Sequence, residues 1–282
     1  MAVGADQTFE GSIGGGIMEH KFVEMAKSIL ANEAVQKKDL YKQVHSKTDA
    51  DNQSGMICSG EQTIFLHAVS DVDIVAVEKI IRAEQENLGG TLLLSAPGVN
   101  YTSEIATENF YYEVEEERFL LKEKIGFKNT LHIIGGGHCA LALSRLMSQM
   151  DFYIHLYDDR KALDTISKNT FVHEKHLLTS LSDVGSCIRE QQNLFVVIMT
   201  FGYRTDDLAL RSLIHKKFTY IGVLGSRKKI GQMFKAYREE GISKEKIECI
   251  HAPIGLPIKS QTPVEIAVSI AAEIIRVKNR GA

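Results

Sequence analysis

The fold of this chain is decided by the stretch Thr130-Leu-His-Ile-Ile-Gly-Gly-Gly-His-Cys-Ala140. Its β-rich apolar residues end in three glycines, and a segment with helical apolar periodicity follows at once. This order predicts a strand, a tight turn and a helix. Gly135 would make the sharp turn, Gly137 would let backbone N–H groups approach a pyrophosphate, and Ala140 would allow close packing of helix on strand. The helix N-terminus would add unpaired amides and a positive dipole end.

A second apolar run, residues 152–157, is followed by Asp158. This residue lies about 20 positions past the first glycine, the distance expected for a carboxylate that binds a ribose hydroxyl. An acidic residue there favours NAD over NADP, although Arg160 could accommodate a 2′-phosphate. We therefore predict a nucleotide-type site made by Gly135, Gly136, Gly137, His138 and Asp158.

The composition is that of an ordinary globular protein with room for two domains. Of the 282 residues, 44% are hydrophobic and 24% are charged. Helix and strand patterns alternate on both sides of a densely charged segment, residues 113–128. We predict an α/β fold, with a smaller α/β domain at residues 1–128 that ends in a charged connector, and a Rossmann-type parallel-sheet domain at residues 129–282.

Charge and cysteine content exclude several classes of partner. The net charge of −3 gives no basic field for nucleic acid or an anionic membrane. No apolar run approaches the length of about 18 residues needed for a membrane span, and the chain opens without a signal sequence. The four cysteines lie far apart, without CxxC pairs or zinc-type spacing. We expect a cytoplasmic protein with free thiols.

A second glycine-rich helix start lies near the beginning, in Glu10-Gly-Ser-Ile-Gly-Gly-Gly-Ile-Met-Glu-His20. The amides of Gly14, Gly15 and Gly16, with the Ser12 hydroxyl, would form an anion nest for a phosphate or a pterin-type ligand. A close packing turn explains the same glycines equally well.

Two later strand candidates end in polar residues. One runs into Thr200-Phe-Gly-Tyr-Arg-Thr-Asp-Asp207, the other into Gly225-Ser-Arg-Lys-Lys229. In open α/β sheets the ligand lies over the carboxyl ends of the strands, so both segments are expected to face one crevice. Arg227 could clamp a carboxylate or phosphate with two hydrogen bonds.

Taken together, these motifs resemble those of the XdhC/CoxI family of xanthine dehydrogenase accessory factors. The resemblance covers essentially the whole chain and rests on Gly11-Ser-Ile-Gly-Gly-Gly16, Cys58-Ser-Gly60, Ile133-Ile-Gly-Gly-Gly-His138, Gly222-Val-Leu-Gly-Ser-Arg227, and Ala252-Pro-Ile-Gly-Leu256 with Thr262-Pro-Val-Glu-Ile-Ala-Val268.

The resemblance implies a chaperone for the maturation of molybdenum hydroxylases rather than an enzyme. Such proteins bind the molybdenum cofactor (molybdopterin), support its sulfuration by a cysteine desulfurase and deliver it to the apo-enzyme, commonly as homodimers. The first domain would then be of the XdhC/CoxI type. Asp206, Ser226 and Arg227 would join the glycine loops in cofactor binding.

Three departures from the family pattern affect the site. Ile17 stands where members often carry a cysteine, so Cys58 becomes the expected ligand of the metal-sulfur centre. Tyr203 stands where many members have a histidine, while the family's aspartate is kept at Asp206. The segment before the first glycine loop is short, which indicates a truncated or reduced first domain.

Two other functions remain open from the sequence. One is an NAD(P)-dependent oxidoreductase, which would need Tyr203, His138 or Asp206 as its hydride-transfer partner, although no clear acid–base pair is present. The other is a nucleotide-sensing module without chemistry.

Overall fold

The structure, a computed structural model, describes residues 1–6, 8–31, 40–44, 61–86, 88–115, 118–191 and 193–280. Within these residues the chain divides into two compact units, Met1–Gly126 and Phe127–Ala282. The predicted domains, residues 1–128 and 129–282, stay a proposal about independent folding. Each unit is described by itself.

In its described residues, the first unit combines two helices with short antiparallel sheets. The four-stranded sheet has the order β6-β5-β8-β7, β1 pairs with β2, and β3 pairs with β4. The helices and strands of the first unit are β1 (Ala2–Val3), β2 (Phe9–Glu10), α1 (Gly16–Leu30), β3 (Leu40–Val44), β4 (Glu61–Phe65), α2 (Ile74–Gln85), β5 (Gly90–Ser95), β6 (Gly98–Thr102), β7 (Phe110–Glu115) and β8 (Arg118–Ile125).

Half of the charged segment, residues 118–125, is strand β8. It lies inside the four-stranded sheet, hydrogen-bonded to β5 on one side and to β7 on the other. Phe119 and Ile125 are buried, Arg118 is exposed, and the charged residues between them, Lys122, Glu123 and Lys124, are half-buried. The charged residues therefore belong to a paired strand that ends directly before the boundary between the two units at Gly126.

The second unit is a six-stranded parallel sheet with helices on both faces. The strand order is β11-β10-β9-β12-β13-β14, and every neighbouring pair is parallel. Its elements are β9 (Asn129–Ile134), α3 (His138–Met147), β10 (Phe152–Asp158), α4 (Asp164–Ser167), β11 (Glu174–Leu177), α5 (Val184–Cys187), β12 (Leu194–Ile198), α6 (Tyr203–Leu213), β13 (Tyr220–Val223), α7 (Arg227–Glu239), α8 (Lys244–Glu248), β14 (Ile250–His251) and α9 (Pro263–Lys278).

In chain order these six strands follow the sequence 3-2-1-4-5-6, which is the Rossmann order. Two buried apolar clusters lie on opposite faces of the sheet, one under α3 and α9 and the other under α5, α6 and α7. Strand β12 is buried along its whole length, as a central strand covered on both faces must be. The predicted α/β fold with a C-terminal Rossmann-type sheet is confirmed.

Helix α9 begins as its sequence indicates. The Thr262 hydroxyl accepts a hydrogen bond from the Glu265 N–H at 3.3 Å, and the Glu265 carboxylate accepts one from the Thr262 N–H at 3.0 Å. Pro263 occupies the first turn, and Ile270 and Ile274 are fully buried in the sheet-facing core. Among the described residues, no helix is both long enough and apolar enough to span a bilayer.

Glu273 ties α9 to the sheet through a buried carboxylate. It accepts hydrogen bonds from the Tyr220 hydroxyl at 2.7 Å and the Gly255 N–H at 2.8 Å, and lies 3.4 Å from His251. Burial alone would raise the pKa of Glu273, but His251 and these two donors outweigh it and lower the pKa to about 2.

Because the Glu273 carboxylate must be ionised to make these contacts, we expect the protein to lose stability in acid. Because the folded-state pKa of Glu273 is about 2 and the ordinary value is 4.5, the contribution is complete above pH 4.5 and is lost as the pH falls toward 2. In urea unfolding at several pH values, Glu273→Gln should be less stable than wild type at pH 7, with a smaller difference at acid pH. Glu239→Gln, at an exposed position, is the control. A difference independent of pH would contradict the assignment.

Candidate functional site

The glycine loop between β9 and α3 lies where the strand order of the sheet reverses. Strand β9 has β10 on one side and β12 on the other, so the loop after it borders the crevice in which such folds bind ligands. Gly135 has a φ of +103°, and a Cβ there would lie 2.5 Å from the carbonyl oxygen of Met199. Only glycine fits, because this loop packs directly on the loop after β12.

Both backbone polar groups of Gly136 are hydrogen-bonded. Its N–H donates to the Asp158 carboxylate at 2.6 Å, and its carbonyl accepts from the Thr165 hydroxyl at 2.5 Å. A Cβ at Gly136 would lie 2.4 Å from a side-chain carbon of Ile166. The conformation of the loop is therefore fixed by its neighbours before any ligand binds.

Gly137 faces open space. A Cβ at this position would meet nothing within 4 Å, and the residue has an ordinary φ of −75° as the N-cap of α3. His138 and Cys139 are the first residues of the helix, so their N–H groups have no acceptor within it. His138 is exposed and Cys139 is half-buried, with burial raising the pKa of the Cys139 thiol. The open N-terminus of α3 is a cradle that suits a phosphate group.

Asp158 braces this loop instead of presenting a free carboxylate. It is 3% exposed, and besides the Gly136 N–H it accepts three hydrogen bonds from Arg160, through the backbone N–H at 2.9 Å, Nε at 2.8 Å and Nη2 at 2.6 Å. Burial would raise the pKa of Asp158, but the bonds from Arg160 and Gly136 hold it below its ordinary value. Both carboxylate oxygens of Asp158 already accept hydrogen bonds from Gly136 and Arg160. The contact of Asp158 with a ribose hydroxyl stays a prediction.

The opposite wall of the crevice contains a buried ion pair. Asp206 is fully buried in the first turn of α6, and its Oδ1 accepts from the N–H and hydroxyl of Thr200 at 2.9 and 2.6 Å. Its Oδ2 pairs with Lys229, whose Nζ also donates to the carbonyl of Leu224 at 2.9 Å. Asp206 thus joins the loops after β12 and β13. It is not a free acid or base.

Lys229 is the residue of this wall that the sequence did not reveal. In the sequence, Lys229 is one of two neighbouring lysines at a cationic helix start. In the structure, its ammonium group points inward and pairs with Asp206. Ser226 caps α7 by accepting from the Lys229 N–H at 3.2 Å, while Arg227 is exposed at the first helical position. Phe201, in the loop after β12, is 88% exposed.

The first glycine loop, in the first unit, already holds an anion from its own chain. Glu19 Oε2 accepts from the Ser12 hydroxyl at 2.6 Å, the Ile13 N–H at 2.9 Å and the Gly15 N–H at 3.1 Å. The Gly14 N–H donates to the Ser12 hydroxyl at 3.1 Å. The hydrogen bonds from Ser12 and Ile13 lower the pKa of Glu19, as expected for a carboxylate held in a ring of donors.

This contact changes the interpretation of the predicted anion nest. The amide of Gly15 and the hydroxyl of Ser12 do bind an oxyanion, as the sequence indicates, but the oxyanion is Glu19. Gly16 begins α1 beside them. An external phosphate would reach these amides only after Glu19 had left. Cys58, the predicted metal ligand, lies outside the described residues, and its role stays a prediction.

The strand order and the glycine loop at the reversal point define a protein with a Rossmann-type domain. Comparison with known protein families identifies the family within this class. The model of the XdhC Rossmann domain matches residues 131–274, and the chain belongs to the XdhC family.

Two relatives match just over half of the chain. The uncharacterized protein YqeB of Escherichia coli K12 is 32% identical over 157 residues, which are 55% of this chain and 28% of YqeB. A probable xanthine dehydrogenase subunit from Bacillus subtilis 168 is 28% identical over 161 residues, 56% of this chain and 46% of that protein. The chain thus matches less than half the length of either relative.

A crystal structure from Bacillus halodurans, described as a xanthine dehydrogenase, is similar over nearly the whole chain. The TM-score is 0.71, with 98% of this chain and 85% of that one covered. At 20% identity this similarity shows the fold.

Proposed function

We propose that this protein is an accessory factor that binds the molybdenum cofactor and delivers it to a molybdenum hydroxylase of the xanthine dehydrogenase type. The observation that carries the proposal is the open N-terminus of α3, where Gly137 leaves room for a phosphate against unpaired amides. Membership of the XdhC family and the similarity to a probable xanthine dehydrogenase subunit support the choice of cofactor and client.

The residues at the cradle fit the anionic end of molybdopterin. A phosphate needs backbone N–H donors and space beside them, and a Cβ at Gly137 would occupy that space. The exposed guanidinium of Arg227 adds a bidentate anion donor on the same strand-end side of the sheet. Asp158 and Asp206 are each paired with a cation inside the protein, to Arg160 and Lys229, so they repel an incoming phosphate weakly.

The rest of the maturation process would involve Cys58, a second enzyme and the first glycine loop. Cys58 would bind the metal-sulfur centre of the cofactor, and a cysteine desulfurase would supply the sulfur. The protein would act as a homodimer in the cytoplasm. The first glycine loop would contribute through Ser12, Gly14, Gly15 and Gly16 only in a state in which Glu19 has moved away.

The alternative function is binding of NAD(P), as an oxidoreductase or as a sensor. The Rossmann strand order favours it. The three hydride-transfer partners predicted from the sequence are not equivalent in the structure. Asp206 is buried and ion-paired, which leaves His138 and Tyr203 at accessible positions. Asp159, which is half-buried and follows Asp158 in the chain, is another carboxylate that could take the ribose contact.

The test is co-purification from a host that makes molybdopterin. Bound pterin, molybdenum and NAD(P) are quantified per chain by fluorescence of the oxidised pterin, metal analysis and enzymatic cycling. Pterin near one equivalent supports the proposal, and transfer of that pterin to an apo-hydroxylase would complete it. NAD(P) without pterin would overturn it in favour of the alternative.

Gly137→Ala separates ligand binding from folding. Because the added methyl group meets no protein atom within 4 Å and φ is −75°, the unfolding free energy should stay within about 0.5 kcal/mol of wild type. The methyl group fills the cradle, so we expect about tenfold less bound cofactor, or ~1.4 kcal/mol. Gly231→Ala, at an exposed and equally open helix position, should retain the cofactor. Normal cofactor binding by Gly137→Ala would exclude the α3 N-terminus as the site.

A further inference from the structure

We propose that His155, Glu174 and His176 form a binding site for a divalent transition metal ion on the Rossmann sheet, separate from the glycine loop. The imidazole atoms His155 Nδ1 and His176 Nε2 lie 3.1 Å apart. Glu174 Oε2 lies 3.6 Å from the first and 3.3 Å from the second. Three potential ligand atoms thus form a nearly equilateral triangle.

The sheet register creates this triangle. His155 on β10 is paired directly with Glu174 on β11, and His176 follows two residues later on the same strand. Because side chains alternate between the faces of a strand, all three lie on one face. The sequence spacing does not resemble a zinc motif, since one ligand comes from another strand 19 positions earlier in the chain.

The distances between the three ligand atoms match those expected around one bound metal ion. Zinc binds imidazole nitrogen and carboxylate oxygen at about 2.0–2.2 Å, and the ligand atoms of a tetrahedral ion with such bonds are about 3.3–3.6 Å apart. Two histidines and one carboxylate are a ligand set of catalytic zinc and of non-haem iron, both of which leave at least one coordination position open. Imidazole ligands disfavour Mg²⁺ and Ca²⁺, which prefer oxygen.

Neighbouring side chains hold the three ligands in place. The other carboxylate oxygen of Glu174 accepts a hydrogen bond from the Tyr153 hydroxyl at 2.9 Å, which turns Oε2 toward the two imidazoles. His155 stacks on His132 with centroids 4.5 Å apart, and His176 stacks on Tyr157 at the same distance. Support of this kind around metal ligands orients them before the ion arrives.

The site is reachable from solvent. The exposed fractions of the side chains are 17% for His155, 32% for His176 and 45% for Glu174. His155 therefore lies deepest, and Glu174 lies nearest to solvent. An ion bound here would direct its open position toward solvent, where a water molecule or an anionic ligand would complete its coordination. The alternative is a hydrogen bond between the two imidazoles with no ion.

The test is calorimetric titration of Zn²⁺ into the chain of residues 1–282, without an affinity tag, after removal of metals by chelation. We expect one ion per chain at low-micromolar affinity or better, abolished by excess chelator. His176→Gln should weaken this binding at least about 100-fold, and Tyr153→Phe, which releases Glu174, about tenfold. With Co²⁺, wild type should show the intense visible absorption of a tetrahedral site, and His176→Gln should not.

Two controls make the result decisive. His215→Gln removes an exposed histidine elsewhere in the unit and should bind Zn²⁺ like wild type. Glu174→Gln alters the most exposed ligand, so it should fold normally by circular dichroism and still lose affinity. Binding by Glu174→Gln and His176→Gln at wild-type strength would place the ion elsewhere, and no binding by wild type would leave only the hydrogen-bonded pair; either result overturns the proposal.

Discussion

The Lys229→Met variant is expected to unfold with a free energy about 3 kcal/mol lower than that of the wild-type protein. Methionine keeps the length of the aliphatic stem but removes the ammonium group that pairs with Asp206. Asp206 is fully buried, so its charge would be left in a low-dielectric site with only Thr200 as a donor. The carbonyl of Leu224 would lose a donor as well.

Urea unfolding measures this loss, and a neighbouring lysine gives the control. Lys228→Met removes the same charge from an exposed position of α7, and its effect should stay within about 0.5 kcal/mol. Adding Asp206→Asn to Lys229→Met should restore part of the stability, because the unpaired charge is gone while an oxygen remains for Thr200. Equal effects of the two lysine variants would show that the buried pair contributes little.

Asp158→Asn is expected to lower the unfolding free energy by about 2–3 kcal/mol, because the amide lacks the charge and has only one of the two acceptor oxygens, so that Gly136 and Arg160 compete for it. Without the bond to Asp158, the N–H of Gly136 has no anchor and the loop before α3 loosens. Hydrogen exchange at the amides of Gly136 and Gly137 should therefore become faster. Binding of phosphate-containing ligands should weaken with it.

Asp159→Asn is the matched control for the effect of this substitution on stability. It removes a charge one position later, from a half-buried residue, and its unfolding free energy should change by less than about 0.5 kcal/mol. Titration with NAD⁺ then separates two roles. If Asp158→Asn kept full stability and lost only NAD⁺ affinity, Asp158 would act by direct ribose contact and the bracing role would be wrong.

The two walls of the crevice have the same arrangement of charged groups. Each wall contains a buried aspartate paired with a cation, Asp158 with Arg160 and Asp206 with Lys229. Each aspartate also accepts a backbone N–H from a loop at a strand end, from Gly136 and from Thr200. Since the charges are satisfied internally, the open amides at the start of α3 and the exposed Arg227 are the groups left to attract an anion.

The sequence by itself determined the class of the fold and several local structures. Apolar periodicity and the glycine triplet gave the strand, turn and helix around Gly135, and Thr262, Pro263 and Glu265 gave the start of α9. Such features depend on residues that are close in the chain, so they can be recognised without knowing which strands are neighbours. Dense charge at residues 118–125 did not by itself show which strands this segment pairs with, since only the sheet register places it between β5 and β7.

The tertiary structure alone decided how the polar groups are used. The carboxylate of Asp158 bonds a loop 22 positions earlier, Asp206 pairs with a lysine 23 positions later, and the two imidazoles facing Glu174 are 21 positions apart. The carboxylate of Glu19 occupies the nest that the sequence offered to a phosphate or pterin-type ligand. Sequence reveals which side chains can accept or donate, but the partner of each depends on strand order and register, because these bring distant segments within hydrogen-bonding distance.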